Sequence, residues 1–282
     1  MPRPRYPILG ALFALSLLFV PRPAGSQAPM PQDNSNMLLG NPSGATKDDE
    51  RPENYLLERR QYALSYNYKT RGPNWVSWHL GAEDLGTTER TNKFVADPDL
   101  PRSWRIDADA YKGSGYDRGH QCPSGDRTAT REDNLPTFFM SNMLPQAPDL
   151  NRGPWEKLES YCRDLVRRDG DELYITAGGG GSLGVIPKRP GPVRIGLNVP
   201  GVCWKVVVAL PQGDGDLARV SGETRVVAVS LPNDGSVHGQ RWADYRVSVD
   251  QVERITGYDF LGNVPAALQA AIEAKPDAVR VQ

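Results

Sequence analysis

The pattern of apolar and polar positions between residues 62 and 80 predicts a β-hairpin. Residues 62–68 (Tyr-Ala-Leu-Ser-Tyr-Asn-Tyr) alternate with the period of two that places successive side chains on opposite faces of a strand. Residues 70–74 (Thr-Arg-Gly-Pro-Asn) are turn formers, and residues 75–80 (Trp-Val-Ser-Trp-His-Leu) resume the strand pattern. We therefore expect these two strands to pair.

Three further strands are predicted from runs of β-branched residues bounded by Gly, Pro or Asn. They cover residues 172–177, 203–210 and 224–231. Four consecutive glycines, residues 178–181, follow the first of these runs. We expect a flexible turn there, because the helix start and lysine of a phosphate-binding loop do not follow.

A helical period distinguishes residues 151–168 from the strands. The apolar side chains that share one face of this predicted helix are Trp155, Leu158, Cys162, Leu165 and Val166. Shorter helices are predicted at residues 249–256, closed by Gly257, and at residues 265–274. Because strands predominate and no internal repeat is found, the sequence predicts an α+β fold with a mostly antiparallel central sheet flanked by helices.

The two ends of the chain differ from the middle in composition. Residues 1–26 combine a positive start, a 13-residue apolar run and a small-residue cleavage pattern, which predicts a signal peptide for export. Residues 27–55 are polar and rich in Pro and Asn, which predicts a flexible linker, and residues 276–282 are expected to form a loose tail. No membrane span is expected in the mature chain, which would be secreted or periplasmic.

Charge and cysteine content exclude some classes of protein. The 282 residues include 33 Lys and Arg against 34 Asp and Glu, so any site for a polyanion must be a local patch. The three histidines and three cysteines show no zinc-finger spacing. Export would allow two of the cysteines to pair, but the sequence does not indicate which pair among Cys122, Cys162 and Cys203.

Residues 117–120, Asp-Arg-Gly-His, place a carboxylate, a permanent cation and an imidazole within four positions. A histidine with an ordinary pKa of about 6.5 suits a general base at neutral pH, and the guanidinium of Arg118 suits phosphate oxygens. Gly119 is expected to bend the backbone so that Arg118 and His120 face one cavity. Taken alone, such residues on a loop more often form a solvated cluster of ion pairs than a catalytic site.

Two oxygen-bearing side chains, Asn151 and Glu159, lie on or beside the apolar face of the predicted helix. Polar groups at a core-facing surface cost free energy unless they are hydrogen-bonded or bound to a metal. Amide and carboxylate oxygens suit Mg²⁺, which keeps several waters and takes few protein ligands. The spacing leaves two alternatives open, a plain helix N-cap for Asn151 and an ion pair at the rim for Glu159.

Several ordered blocks around these residues resemble the DNA/RNA non-specific endonucleases. This ββα-metal family carries the DRGH signature and includes secreted bacterial sugar-non-specific nucleases and mitochondrial endonuclease G. Residues 117–120 match the signature, and residues 139–146 and 150–159 are similar to the second and third blocks. Residues 245–257 resemble the closing helix. The resemblance implies a ββα-metal nuclease fold, with residues 56–275 as the endonuclease domain.

The resemblance also implies the roles of the residues at the centre of the site. His120 would be the general base that activates water. Asn151 would be the direct protein ligand of a hydrated Mg²⁺, with Mn²⁺ as an alternative, and Glu159 would hold this metal through water. The metal would supply Lewis-acid chemistry at the phosphate.

Further residues follow from the same blocks. Arg118 and Arg90 would contact the phosphate, Arg90 by stabilising the transition state, and Arg152 would help to bind substrate. Asn142 would help to orient the site, whereas Asp117 and Gly119 would be structural. The arginines near the motifs that would make a groove positive are Arg90, Arg118, Arg127, Arg131 and Arg152, although the last three fit solvated surface positions as well.

The implied function is an exported Mg²⁺-dependent endonuclease that cleaves DNA and RNA with little sequence preference, since its contacts read the phosphate. Two alternatives remain at this stage: a catalytically weak nucleic-acid-binding module, and a phosphodiesterase acting on a substrate other than nucleic acid. The sequence does not establish DNA-versus-RNA preference, homodimer formation or the binding of a protein inhibitor.

Overall fold

A seven-stranded sheet forms the centre of the part of the chain that the structure describes. The structure is a computed structural model that describes residue 1, residues 32–186 and residues 196–281, so the predicted signal at residues 1–26 lies outside the described residues except for Met1. The described strands are β1 (Tyr55–Glu58), β2 (Ala63–Asn67), β3 (Gly72–Leu80), β4 (Asp117–His120), β5 (Met143–Gln146), β6 (Asp171–Gly180), β7 (Gly184–Ile186), β8 (Leu197–Val199), β9 (Val202–Pro211), β10 (Arg225–Pro232) and β11 (Arg246–Val247).

The large sheet has the order β1-β2-β3-β6-β9-β10-β11, and each neighbouring pair is antiparallel. The predicted hairpin is β2 and β3, with Leu64 opposite Val76 and a register shift after Ser65. Both faces of the sheet are buried, because β3 directs Trp78 into one hydrophobic core and Trp75 into the other. The predicted fold class, α+β with a mostly antiparallel sheet, is confirmed.

Short helices cover the two faces of the sheet. The described α-helices are α1 (Arg131–Asn134), α2 (Pro148–Leu150), α3 (Glu156–Asp164), α4 (Asp216–Arg219), α5 (Val249–Thr256) and α6 (Ala266–Glu273). Helices α5 and α6 match the predictions for residues 249–256 and 265–274, and Gly257 ends α5 with a φ of +73°. None of the described helices is long and apolar enough to cross a membrane.

The predicted helix at residues 151–168 is interrupted near its start. Residues Asn151–Trp155 form a wide π-type turn in which Gly153 is non-helical (φ −114°, ψ −116°), and Pro154 follows it. Because proline has no amide hydrogen to donate, the regular helix α3 begins only at Glu156. The predicted apolar face is buried in the core, so the predicted helical period is confirmed. The predicted start of the helix at residue 151 is wrong.

Glycines 178–180 belong to strand β6, and the prediction of a turn there is wrong. A Cβ atom on Gly178 would lie 2.5 Å from both the carbonyl oxygen of Asn74 and the ring of Trp204. The glycines are therefore required by close packing between strands. Left-handed backbone begins only at Gly181, with a φ of +67°.

Parts of the predicted linker and tail pack against the domain. Leu38 and Leu39 are buried in the core that also contains Trp75, so residues 32–55 differ from the mobile linker expected from their polar composition. In the tail, Asp277 pairs with Arg225 at 2.9 Å and with Arg246 at 3.1 Å. Leu38 and Leu39 hold the first segment and Asp277 holds the second. These residues are too few to form a periodic pattern in the sequence.

Candidate active site

Strand β4 places Arg118 and His120 on one side of a small two-stranded sheet with β5. Gly119 pairs with Leu144 and His120 with Met143. Because alternate residues of a strand face the same side, Arg118 and His120 converge without a bend. The expected bend at Gly119 is therefore wrong. Gly119 instead provides space, since a Cβ atom there would lie 2.1 Å from Oε1 of Gln146.

The imidazole of His120 is buried between two aromatic rings. Its ring centroid lies 5.5 Å from that of Phe94 and 5.0 Å from that of Phe138, both in edge-on geometry. The indole nitrogen of Trp155 donates to the backbone carbonyl of His120 at 3.3 Å. Among the described residues, none is hydrogen-bonded to the buried Nε2 atom of His120. The packing therefore fixes the ring, and this nitrogen keeps an unused hydrogen-bonding position.

Burial lowers the pKa of His120 to about 3, and the positive charges of Arg90 and Arg118 act in the same direction. The imidazole is consequently neutral at physiological pH and able to accept a proton. The sequence-based assumption of an ordinary histidine pKa is wrong for the free protein, because the sequence does not show that the imidazole is buried.

Each of the two aromatic rings also contacts an arginine. The guanidinium of Arg118 lies 4.3 Å from the ring centroid of Phe94, and that of Arg90 lies 5.0 Å from that of Phe138. Arg90 also donates to Oγ of Ser124 at 3.0 Å and to Oδ1 of Asn92 at 2.7 Å. Burial lowers the pKa of Arg90, while the carboxylate of Glu159 opposes this effect. The structure thus brings Arg90, 30 positions upstream in the sequence, to the same site as His120.

Asp117 connects the signature strand to the turn that carries Asn151. Its Oδ2 atom accepts from Nδ2 of Asn151 at 3.0 Å and from Nε of Arg152 at 2.8 Å, and its Oδ1 atom accepts from Nη2 of Arg152 at 2.7 Å. Burial tends to raise the pKa of Asp117, but these hydrogen bonds lower it overall. The amide nitrogen of Asn151 is thereby fixed, which leaves its Oδ1 oxygen without a bonded donor among the described residues. The predicted structural role of Asp117 thus extends to orienting Asn151.

Glu159 projects from α3 toward a buried lysine that sequence reasoning missed. Lys205 is 1% exposed in the middle of β9, and its Nζ atom lies 3.9 Å from Oε1 of Glu159. The same Nζ atom lies 4.3 Å from the ring centroid of Trp155. Burial raises the pKa of Glu159 to about 7, although Lys205 and Arg163 lower it. The detectable signal was one charged residue in the otherwise apolar run Val202–Pro211.

Asn142 is a positioning residue in this structure. Its Nδ2 atom donates to the carbonyl oxygens of Cys122 and Thr137, both at 2.8 Å, and its Oδ1 atom accepts from the amide of Cys122 at 3.0 Å. All its side-chain atoms are thus committed to backbone groups. These contacts are consistent with the expected role of Asn142 in orienting the site.

The other candidates differ in burial, and of these Arg152 contacts the site through Asp117. Arg127 is buried and donates to the carbonyl oxygens of Gln61 and His79, so neither a groove-lining nor a solvated position is correct for it. Arg131 and Arg152 are exposed. Cys122, Cys162 and Cys203 are buried free thiols in the structure.

The donor set of the site fits a hydrated metal ion held by few protein ligands. Asn151 offers an amide oxygen, and Glu159 offers a largely buried carboxylate whose nearest cation stands at 3.9 Å. Mg²⁺ usually retains several waters and is bound through one or two protein groups. Groups of three His or acidic ligands do occur among the described residues, but they include neither Asn151 nor Glu159.

Comparisons with known proteins identify the family of the chain. The family model of the DNA/RNA non-specific endonucleases matches residues 40–267. A nuclease from Nostoc sp. is 46% identical over 275 residues, covering 95% of this chain and 97% of that protein. A mitochondrial nuclease from Saccharomyces cerevisiae is 30% identical over 264 residues, covering 88% of this chain and 78% of that one.

A solved structure, that of the EndoG/EndoGI complex, has the same fold. Its TM-score is 0.65 at 24% sequence identity, and the match covers 82% of this chain and 91% of that one. The fold and family expected from the sequence are therefore confirmed. This chain belongs to the DNA/RNA non-specific endonucleases, a family of metal-dependent enzymes that hydrolyse phosphodiester bonds.

Proposed function

We propose that this chain is an exported Mg²⁺-dependent endonuclease that cleaves DNA and RNA with little sequence preference. The observation that carries the proposal is the buried Nε2 atom of His120, which has no bonded partner among the described residues and stands beside two arginines. A neutral imidazole in such a position suits proton transfer from water, and guanidinium groups suit phosphate oxygens.

In the proposed mechanism, Nε2 of His120 accepts a proton from water as the water oxygen forms a bond to phosphorus. The bond between phosphorus and the leaving 3′ oxygen breaks, and that oxygen acquires a proton from solvent. Arg90 and Arg118 stabilise the negative charge on the phosphoryl oxygens. A bound phosphate also offsets the two positive charges that depress the pKa of His120, so substrate binding makes this base stronger.

Asn151 and Glu159 would hold the metal, Asn151 through its Oδ1 oxygen and Glu159 through water. When bound, Mg²⁺ or Mn²⁺ supplies Lewis-acid stabilisation of charge at the phosphate. Asp117 maintains the orientation of the Asn151 amide, and Lys205 favours the ionised form of Glu159. The contact of Asn151 with Asp117 and that of Glu159 with Lys205 support these assignments.

The same geometry favours a polymeric substrate. Arg90 and Arg152 are exposed and Arg118 is half-buried, so the cationic groups lie at the surface around a buried base. Contacts of this kind bind the phosphate backbone and do not depend on the base sequence. A nucleic acid is therefore favoured over a small phosphodiester that would require an enclosed pocket.

Export is proposed from residues 1–26 and not from the described structure. Because one relative is named as a mitochondrial nuclease, the leader needs a direct test. N-terminal sequencing of the protein recovered outside the cytoplasm of a bacterial host should place the start of the mature chain near Gln27. Recovery of uncleaved protein inside the cells would contradict export. The EndoG/EndoGI neighbour, whose description concerns EndoG inhibition, motivates including a proteinaceous inhibitor among the partners to be sought.

The nuclease proposal is tested by plasmid nicking with the full chain in Mg²⁺ or EDTA. We expect Mg²⁺-dependent conversion of supercoiled DNA to relaxed and linear forms, and degradation of RNA, both abolished by His120→Ala. His238→Ala is the matched control, since His238 is exposed and pairs with Asp149 outside the site. Unchanged nicking by His120→Ala would refute the assigned base, and a folded wild type that cleaves neither polymer would favour the binding module or another phosphodiester.

A further inference from the structure

A cluster of carboxylates joins the two C-terminal helices on the face of the sheet opposite His120. Asp250 and Glu253 lie three residues apart on α5 and therefore share one side of that helix. Glu273 ends α6. One carboxylate oxygen from each of these three residues lies within 4.8 Å of the others. Buried residues of both helices pack in the core around Trp204, whereas the helix that carries Glu159 packs in the core around Trp78.

The negative charge of this cluster is not balanced by neighbouring ion pairs. Glu273 is 5% exposed, and its buried Oε1 atom has no hydrogen-bond partner among the described residues. Within residues 32–186 and 196–281, no Lys, Arg or His nitrogen forms a salt bridge with Asp250, Glu253 or Glu273. A buried carboxylate without a partner is strongly unfavourable.

A second acidic group elsewhere in the fold has its carboxylates paired with basic side chains. His79, Glu172 and Asp216 also place ligand atoms within 4.8 Å of one another. There, however, Arg219 donates to both carboxylates, and His79 lies 3.2 Å from Glu172. This group is satisfied by an arginine and a histidine, whereas the cluster at α5 and α6 receives one backbone amide, at Glu253, and no described cation within salt-bridge distance.

We propose that Asp250, Glu253 and Glu273 form a binding site for a divalent cation, of the size of Ca²⁺, that fastens α5 to α6. Ca²⁺ binds six to eight oxygens at about 2.3–2.6 Å, so two of its ligands can stand up to about 5 Å apart. The spacing in the cluster satisfies that limit. Three carboxylates are typical of a Ca²⁺ site, whereas Mg²⁺ is usually held through one or two carboxylates and keeps several waters.

Two further contacts support the assignment. The amide of Phe260 donates to Oε1 of Glu253 at 2.8 Å, which fixes the Glu253 carboxylate after the turn that ends α5. Burial raises the pKa of Glu273 to about 8, and the neighbouring charges of Glu253, Asp250 and Asp259 add to this increase. A bound cation would neutralise the repulsion among these carboxylates and would link α5 to α6.

The test measures thermal unfolding of the metal-stripped full chain in EGTA and in Ca²⁺, without Mg²⁺. At a Ca²⁺ concentration about 100-fold above Kd, the wild type is expected to melt about 5–10 °C higher than in EGTA. Glu273→Gln should lose this increase and should melt at or above the wild type in EGTA, because it removes the repulsion. Calorimetric titration with Ca²⁺ should show the loss of one binding event.

Three further variants separate the outcomes. Glu223→Gln, an exposed glutamate in the turn before β10, is the matched control and should keep the full Ca²⁺ response. Asn151→Ala should also keep it, because it alters only the proposed catalytic metal ligand. If Glu273→Gln fails to fold, Asp250→Asn at a half-buried position should reduce the response. An equal Ca²⁺ shift in wild type and Glu273→Gln, or no shift in the wild type, would overturn the proposal.

Discussion

The Nζ atom of Lys205 lies 3.9 Å from the Oε1 atom of Glu159, in a layer closed by the indole ring of Trp155. The pair comes from a strand of the central sheet and from the helix that follows the signature motif. Its location is informative, because a lysine that is 1% exposed requires an anionic partner. Lys205 is therefore a positioning residue for the Glu159 carboxylate.

Replacing Lys205 by Met should shift the pH dependence of cleavage. Burial already raises the pKa of Glu159 to about 7, and Lys205 lowers it. Loss of the cation raises this pKa further, so less of the ionised form is present at neutral pH. We expect about a fivefold loss of kcat/KM at pH 7 for the first unit of added shift and about a tenfold loss for each further unit, with recovery at higher pH. The measurement is the pH profile at fixed Mg²⁺.

The control for this variant is Lys69→Met, since Lys69 is exposed and pairs with Glu53 at the surface. Its pH profile should match the wild type. If Lys205→Met loses activity equally at all pH values, the lysine acts through packing and the electrostatic role is wrong.

Asn151→Ala should remove most activity and keep the fold, because the amide oxygen is the proposed metal ligand. Asp117→Asn tests the orientation of that amide. Asp117 accepts from both Asn151 and Arg152, and a neutral amide in its place holds them less firmly. We expect Asp117→Asn to need more Mg²⁺ for half-maximal rate, with an effect of about 10–100-fold, as for loss of outer-sphere support.

Magnesium titrations of the cleavage rate distinguish these outcomes. Circular dichroism should show native secondary structure for both variants. A rate near that of the wild type for Asn151→Ala at low Mg²⁺ would exclude the ligand assignment. An unchanged Mg²⁺ requirement in Asp117→Asn would mean that Asp117 stabilises strand β4 but does not orient the Asn151 amide.

Gly119→Ala should destabilise the signature strand without adding any charge. The added methyl group would overlap the side chain of Gln146, whose Oε1 atom lies 2.1 Å from the ideal Cβ position. Overpacking of this kind costs about 1–3 kcal/mol in the free energy of unfolding. Urea denaturation measures it.

A double-mutant cycle with Gln146→Ala checks the cause. Truncation of Gln146 removes the overlapping atoms, so the cost of Gly119→Ala should become smaller in that background. Additive effects would mean that Gly119 is required for another reason.

The sequence was sufficient to predict five of the seven strands of the large sheet, the three longest α-helices and several of the residues that lie together in the site. Periodicity and turn residues are local, and strands β2, β3, β9 and β10 carry both. The signature residues are close in sequence, so the sequence predicted that Arg118 and His120 face one cavity, although alternation along β4 and not a bend brings them together. The sequence does not show which distant side chains enclose the imidazole of His120. The rings of Phe94 and Phe138 determine the pKa of His120, and they come from separate segments.

Packing against a distant element also explains the errors. Gly178 was interpreted as a turn because glycine is a turn former, whereas its neighbour Trp204 requires it in a strand. Arg127 was assigned to the surface because arginine usually lies there, whereas carbonyl oxygens of Gln61 and His79 hold it in the interior. In each case the deciding partner is more than 20 positions away in the sequence.

The lowered pKa of His120 should make the stability of the metal-free protein depend on pH. Unfolding restores an ordinary histidine pKa of about 6.5, whereas burial and two arginines lower the folded value to about 3. Between these values the unfolded chain binds one more proton than the folded chain, so stability falls as pH falls below about 6.5. The loss from this residue should approach about 2 kcal/mol at pH 5, at about 1.4 kcal/mol per pH unit. Urea titrations of wild type and His120→Gln should show this difference, with His238→Gln retaining the wild-type slope. Parallel slopes for wild type and His120→Gln would mean that His120 titrates normally and that its enclosure opens in solution.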